Sequence, residues 1–263
     1  MGNFSSFLDA TALAPCIGFC LLSEFKLFYY WINSKELVHL VEGLQDLFPK
    51  TEESQKIYGV EIYLKRVLRL GIVYRCTAAG GYFSCDIFMF NIILLICMNF
   101  NYIEANIGKK PKDMDKFIKY HQRVLQISKL AYEVFSIPIL VNFISSIFII
   151  CFVSFQVTAN VPPVELFKYI LFFLFEIMQI GTTCFLGEQM ATCSRNVGKM
   201  AFEQEWWEED VHFQKKTLFI IERSQKPAIL VARGFGAVSL ESFSDIMTKS
   251  YQFFVCLRHV YSE

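Results

Sequence analysis

Two stretches of this chain, residues 135–159 and 166–184, constrain it more than any other feature. Each is a nearly uninterrupted run of apolar side chains. A helix rises about 1.5 Å per residue, so about 20 apolar residues cross the roughly 30 Å hydrocarbon core of a bilayer. The first run holds no charged residue, and the second holds only Lys168 near its start and Glu176 within. Lipid offers no partner to backbone N–H and C=O groups, so continuous runs of this length cross it as helices. Composition agrees, since 54% of the 263 residues are hydrophobic and only 19% are charged. A soluble domain of this size is more polar. The expected fold class is all-α, an integral membrane helical bundle forming a single transmembrane domain over 1–263.

Beside the clear spans, read as 135–159 and 166–187, others are expected at 4–31, 67–84, 85–103 and 240–260. The first tolerates Asp9, Glu24 and Lys26, and the last includes Asp245, Lys249 and Arg258. Polar residues in membrane helices face protein or water rather than lipid. Loop charge sets orientation, because Lys and Arg accumulate on the cytoplasmic side. Residues 104–133 hold seven such residues from Lys109 to Lys129, and 194–235 hold seven from Arg195 to Arg233. The link 156–165 holds none. The segments 32–66, 104–133 and 194–235 are therefore expected in the cytoplasm, with the link and the C-terminus outside. An even number of crossings must then fit between Arg66 and Glu104. A tight hairpin near Gly80-Gly81 barely provides two, and Arg69 and Arg75 weaken its first arm. The expectation is that a segment present in longer relatives is missing here.

Other chemistries are disfavoured. The nine cysteines form no Cys-x-x-Cys pair, and the four histidines are isolated in sequence, so neither a metal site nor a cofactor is expected. Asp86, Glu176 and Asp245 lie on separate spans without helical partners, which gives no paired acid and base, and no enzyme is expected. Zero formal net charge gives no reason to expect a nucleic-acid partner. The acidic cluster Glu203 to Asp210 around Trp206-Trp207 reads as a solvated helix face or an interfacial anchor, and 215–230 as a cytoplasmic helix approaching Pro227.

The C-terminal half carries an ordered set of motifs. Gln179, Cys184, Gly187 and Ser194 follow a Q-x4-C-x2-G-x6-S spacing, with Trp207 beyond. Arg223-Ser224-Gln225-Lys226-Pro227, Phe235, Ser239-Leu240-Glu241-Ser242-Phe243, then Lys249-Ser250-Tyr251 with Phe253 and Leu257, complete it. In this set the chain resembles the insect odorant receptor family of heptahelical membrane proteins, with Ser224 where the family carries alanine. The N-terminal half is similar more loosely, with 18–28 like the end of the second helix and 68–84 like the third. The family's first helix and its long extracellular loop between helices three and four have no counterpart, so the chain resembles a shortened member.

The resemblance implies an odorant-gated cation channel subunit at the plasma membrane of the olfactory sensory neuron dendrite. Its partners would be a small apolar volatile and a shared coreceptor, in a heterotetramer. It also implies ligand contacts at Cys76, Thr77, Gly80 and Phe83 on the third helix, and at Phe172, Phe175 and Gln179 on the sixth. The last helix would line the pore, with Ile246 as an apolar ring flanked by Asp245 and Thr248. Two other readings stay open, a non-conducting truncated receptor and, more remotely, a G-protein-coupled receptor. The latter lacks its Asp-Arg-Tyr and Asn-Pro-x-x-Tyr elements here and needs the C-terminus on the opposite side.

Overall fold

A computed structural model describes residues 2–50, 52–76, 84–107, 114–158 and 162–262. Its side chains are described from residue 13 onward, apart from 52, 53, 57, 70–76, 261 and 262. The expected positions Thr77, Gly80 and Phe83, and the side chain of Cys76, lie outside the described residues.

The described chain is almost wholly helical. A long α1 (Gly2–Ile32) is followed by three shorter helices, α2 (Ser34–Leu47), α3 (Glu52–Tyr58) and α4 (Val60–Cys76). Then come α5 (Ser84–Ile107), α6 (Met114–Thr158) and α7 (Pro163–Glu203). Last are α8 (Val211–Ser224), a two-stranded ribbon of β1 (Val231–Ala232) and β2 (Gly236–Ala237), and α9 (Leu240–Ser262). Four described helices are long and apolar enough to cross a membrane: Leu13–Ile32 of α1, then α5, α6 and α7. α4 and α9 carry more charge, as the arginines of 67–84 and the polar residues of 240–260 foretold.

α6 and α7 have 45 and 41 residues, about twice what the hydrocarbon requires. Residues 114–133, expected as a cytoplasmic connection, are therefore the first half of the same helix that holds the 135–159 span. α7 likewise runs past 187 to Glu203. Pro163 opens α7 at a first-turn position, where its missing N–H costs nothing. The core runs along α5, α6 and α7 and is filled by Phe90, Phe100, Phe135 and Phe143, with Ile93 and Ile96.

Two local expectations are corrected. The acidic cluster is not a helix face, because α7 ends at Glu203 and only a 3-10 turn at Trp206–Glu208 intervenes. Asp210 then starts α8 as its N-cap, accepting from the Phe213 N–H at 2.8 Å. The helix expected over 215–230 is 211–224, because the proline at 227 disfavours helical backbone at the residue before it. The ribbon at 231–237 was not foreseen. Its turn depends on Gly234 (φ +82) and Gly236 (φ +130), conformations that suit glycine.

The ribbon explains part of the motif set. Gly187 faces it so closely that an added Cβ would sit 2.7 Å from Val238 Cγ1. Two turns on, the Ser194 hydroxyl accepts from the Ala228 N–H at 3.0 Å. One turn further, a Cβ on Gly198 would lie 2.5 Å from Ser224 Cβ. One stripe of α7 thus docks α8, the following turn and the ribbon.

Gly187→Ala and Gly198→Ala should each destabilise the chain by about 1–3 kcal/mol through overpacking. Gly181→Ala should have little effect, because its Cβ would meet Phe243 at an ordinary 3.8 Å. Thermal unfolding in detergent should separate the first two substitutions from the third.

Candidate functional site

α1, α6 and α7 each turn a helical stripe of 3- and 4-residue spacings toward a common axis, and these stripes form two layers. The outer layer is apolar. Ile149 and Val153 of α6 and Tyr169 of α7 are buried together, packed by Phe19 of α1 and Phe172 and Phe173 of α7. The Phe19 and Phe172 rings stack at 5.7 Å with planes 30° apart. Stacked rings supply large apolar area with a defined orientation. Phe175, expected beside them, is half-buried.

One to two turns deeper the lining changes to buried polar side chains. Ser146 of α6 donates to the carboxylate of Glu176, and both are fully buried. Below them Lys26 of α1 meets Asp86 in the first turn of α5, its Nζ 2.8 and 2.9 Å from the two carboxylate oxygens. Lys26 also donates to Asn142 Oδ1 at 3.0 Å. Gln179 Nε2 donates to Asp86 Oδ2 at 2.5 Å and to Asn142 Oδ1 at 3.3 Å. Each of these four side chains is at most 3% exposed. The partial positive charge of the α5 N-terminus also favours the Asp86 carboxylate.

This polar floor ties α1, α5, α6 and α7 together. A charge in hydrocarbon is costly alone and is retained where it pairs. The sequence marks Lys26, Asp86 and Glu176 only as interruptions of apolar runs. Gln179, expected to touch ligand, holds Asp86 and Asn142. Asn142, Ser146 and Phe19 were not singled out, and opposite charges on separate spans are the one signal that could have found the floor.

α9 presents a different surface. Ser242, Ile246 and Ser250 form its buried stripe, and Ile246 has no exposed area. Ile246 is thus part of the bundle core rather than an exposed ring, because the i, i+4, i+8 face of α9 packs on α6 and α7. Asp245 and Thr248 are exposed on the other side, in a stripe with Glu241, Gln252, Val255 and His259.

A family model, the 7tm odorant receptor, matches residues 77–251, which is most of the chain. The chain belongs to the odorant receptor family. Among relatives of this odorant receptor, odorant receptor 67c of Drosophila melanogaster is 27% identical over 99% of the chain and 82% of its own length. Odorant receptor 85c of the same fly is 25% identical over 97% and 84%. The 85c alignment runs to 325 positions, more than the 263 residues here, so that relative carries inserted sequence. The insect olfactory receptor OR5 from Machilis hrabei, solved in complex with eugenol, superposes with a TM-score of 0.83 at 14% identity, over 97% of this chain and 82% of that one. The fold is therefore that of the insect olfactory receptors.

Replacing one member of the buried pair, as in Lys26→Met or Asp86→Leu, should cost about 3–5 kcal/mol by stranding the other charge. The double substitution should recover most of that loss. Folded yield and melting temperature of the four chains give the coupling, and additive losses would deny that Lys26 and Asp86 act as a pair.

Proposed function

We propose that this odorant receptor is an odorant-gated cation channel subunit of the plasma membrane that works with a shared coreceptor. In this reading a small apolar volatile binds in the outer apolar layer, against Phe172 and Phe19 and beside the third-helix positions Cys76, Thr77, Gly80 and Phe83. The observation that carries the reading is the two-layered site in a chain of this family. A packed apolar layer of aromatic and branched side chains stands over a polar floor, the mix of surfaces that small-molecule sites use. Eugenol, bound by the OR5 receptor, is a ligand of that chemical kind.

Orientation follows from loop charge, with 32–66, 104–133 and 194–235 inside and the C-terminus outside. Conduction is assigned to α9. Its exposed stripe carries Glu241, Asp245, Thr248 and Gln252, side chains that favour a cation path over contact with lipid. The burial of Ile246 moves the pore role to Asp245 and Thr248. Ligand drives opening by binding the open state more tightly than the closed one.

The test is current in cells expressing this chain with the coreceptor, against a panel of volatiles. Odorant-evoked current absent from coreceptor-only cells is expected. Phe172→Ala should raise the half-maximal odorant concentration at least ten-fold, and Asp245→Asn should change cation permeability without moving that concentration. Surface delivery without any odorant-evoked current would establish instead a non-conducting receptor.

A further inference from the structure

The five-residue motif from Arg223 to Pro227 has no part in the odorant site, yet it borders the best-formed cleft among the described residues. The cleft, of about 620 Å³, opens between the first half of α6 and the chain leaving α8. That volume falls within the range of small-ligand sites.

The lining has two characters. Lys129 and Arg223 contribute cationic donors, and Gln122, Gln126 and Tyr132 contribute neutral ones. Leu125 closes its base, Ile229 is an apolar wall, and no carboxylate is among the described residues that line the cleft. Glu133 lies outside the lining, with its Oε1 3.8 Å from Lys129 Nζ at an exposed position. Arg223 is oriented in advance, because Nη1 donates to the Lys226 carbonyl at 2.7 Å. That bond uses one of five guanidinium donors. Planar donors held in this way match phosphate oxygens.

The level of the cleft narrows the source of the phosphate. Just above it the Arg233 N–H donates to the Ser136 carbonyl at 3.3 Å, where the apolar run of α6 begins. The cationic side chains therefore lie at the boundary between hydrocarbon and water, and the exposed Ile229 offers a surface for an acyl chain. A free phosphate compound would use the cations and leave that wall idle. Basic pockets between transmembrane helices on the cytoplasmic side take anionic lipid headgroups.

We infer that this cleft is a binding site for the phosphorylated headgroup of an inner-leaflet lipid, with Arg223 and Lys129 on the phosphate and Ile229 along the chain. The inference is independent of the odorant site and uses the orientation proposed above only to name the leaflet.

The test uses the full chain in phosphatidylcholine nanodiscs with and without a few per cent of phosphatidylinositol bisphosphate, following fluorescent-lipid binding and thermal unfolding. The phosphoinositide should raise the unfolding midpoint. Arg223→Gln and Lys129→Gln should each weaken its binding at least ten-fold, and Lys65→Gln, on exposed α4, should not. Should Arg223→Gln fold poorly, Gln126→Glu places a carboxylate on the exposed rim and should lose binding with the fold intact. Equal binding by all variants, or an equal loss with Lys65→Gln, overturns the inference. So does soluble inositol trisphosphate that binds as tightly as the lipid, or unchanged lipid binding with lost coreceptor assembly in Arg223→Gln, which would make the cleft a subunit contact.

Discussion

The ion pair between Lys26 and Asp86 is the constraint on which the membrane half of this receptor depends. Its partners are 60 residues apart and almost completely buried, and each charge would be prohibitively costly in hydrocarbon without the other. Asn142 and Gln179 complete the coordination and extend it to α6 and α7. Apolar packing alone does not choose among helix registers in lipid, because the solvent is as apolar as the side chains. A four-helix polar contact does choose, since sliding any one helix by a turn would break that helix's part of it.

From that floor the rest follows in order. The outer layer of Phe19, Ile149, Val153, Tyr169 and Phe172 is placed directly above it by helical spacing. At the end away from the apolar layer, α6 and α7 continue past the length that hydrocarbon requires and carry α8, the ribbon and the start of α9. The stripe of Gly187, Ser194 and Gly198 sets how closely those parts dock. The two long helices thereby join the membrane half to the elements beside α9. Chemistry in the outer layer and the polar stripe of α9 are joined by packed helices rather than by loops.

Much of this was legible in the sequence, and for identifiable reasons. The long apolar runs and the partition of Lys and Arg are properties of single segments, so they foretold a helical membrane bundle. Gln179, Gly187 and Ser194 formed a recognisable spacing, although only the fold shows that Gly187 makes room for Val238 and that Ser194 holds the Ala228 N–H. The pairing of Lys26 with Asp86 was not legible, because each residue looks like a blemish in its own span until the spans meet. Ile246 was misplaced for a related reason. Hydrophobicity made it a candidate for an apolar ring, whereas the i, i+4 spacing with Ser242 and Ser250 puts it in the core and leaves Asp245 and Thr248 outward. The ribbon was not legible, because a two-residue strand is too short to show any alternation.

The central claim is that the odorant binds in the apolar layer above the polar floor made by Lys26, Asp86, Asn142 and Gln179. A cryo-electron microscopy map of this chain with the coreceptor and a bound activating odorant tests it most directly. The account predicts ligand density against Phe19 and Phe172, above an intact contact between Lys26 and Asp86. Ligand lodged elsewhere in the bundle, or Lys26 turned away from Asp86, would contradict it.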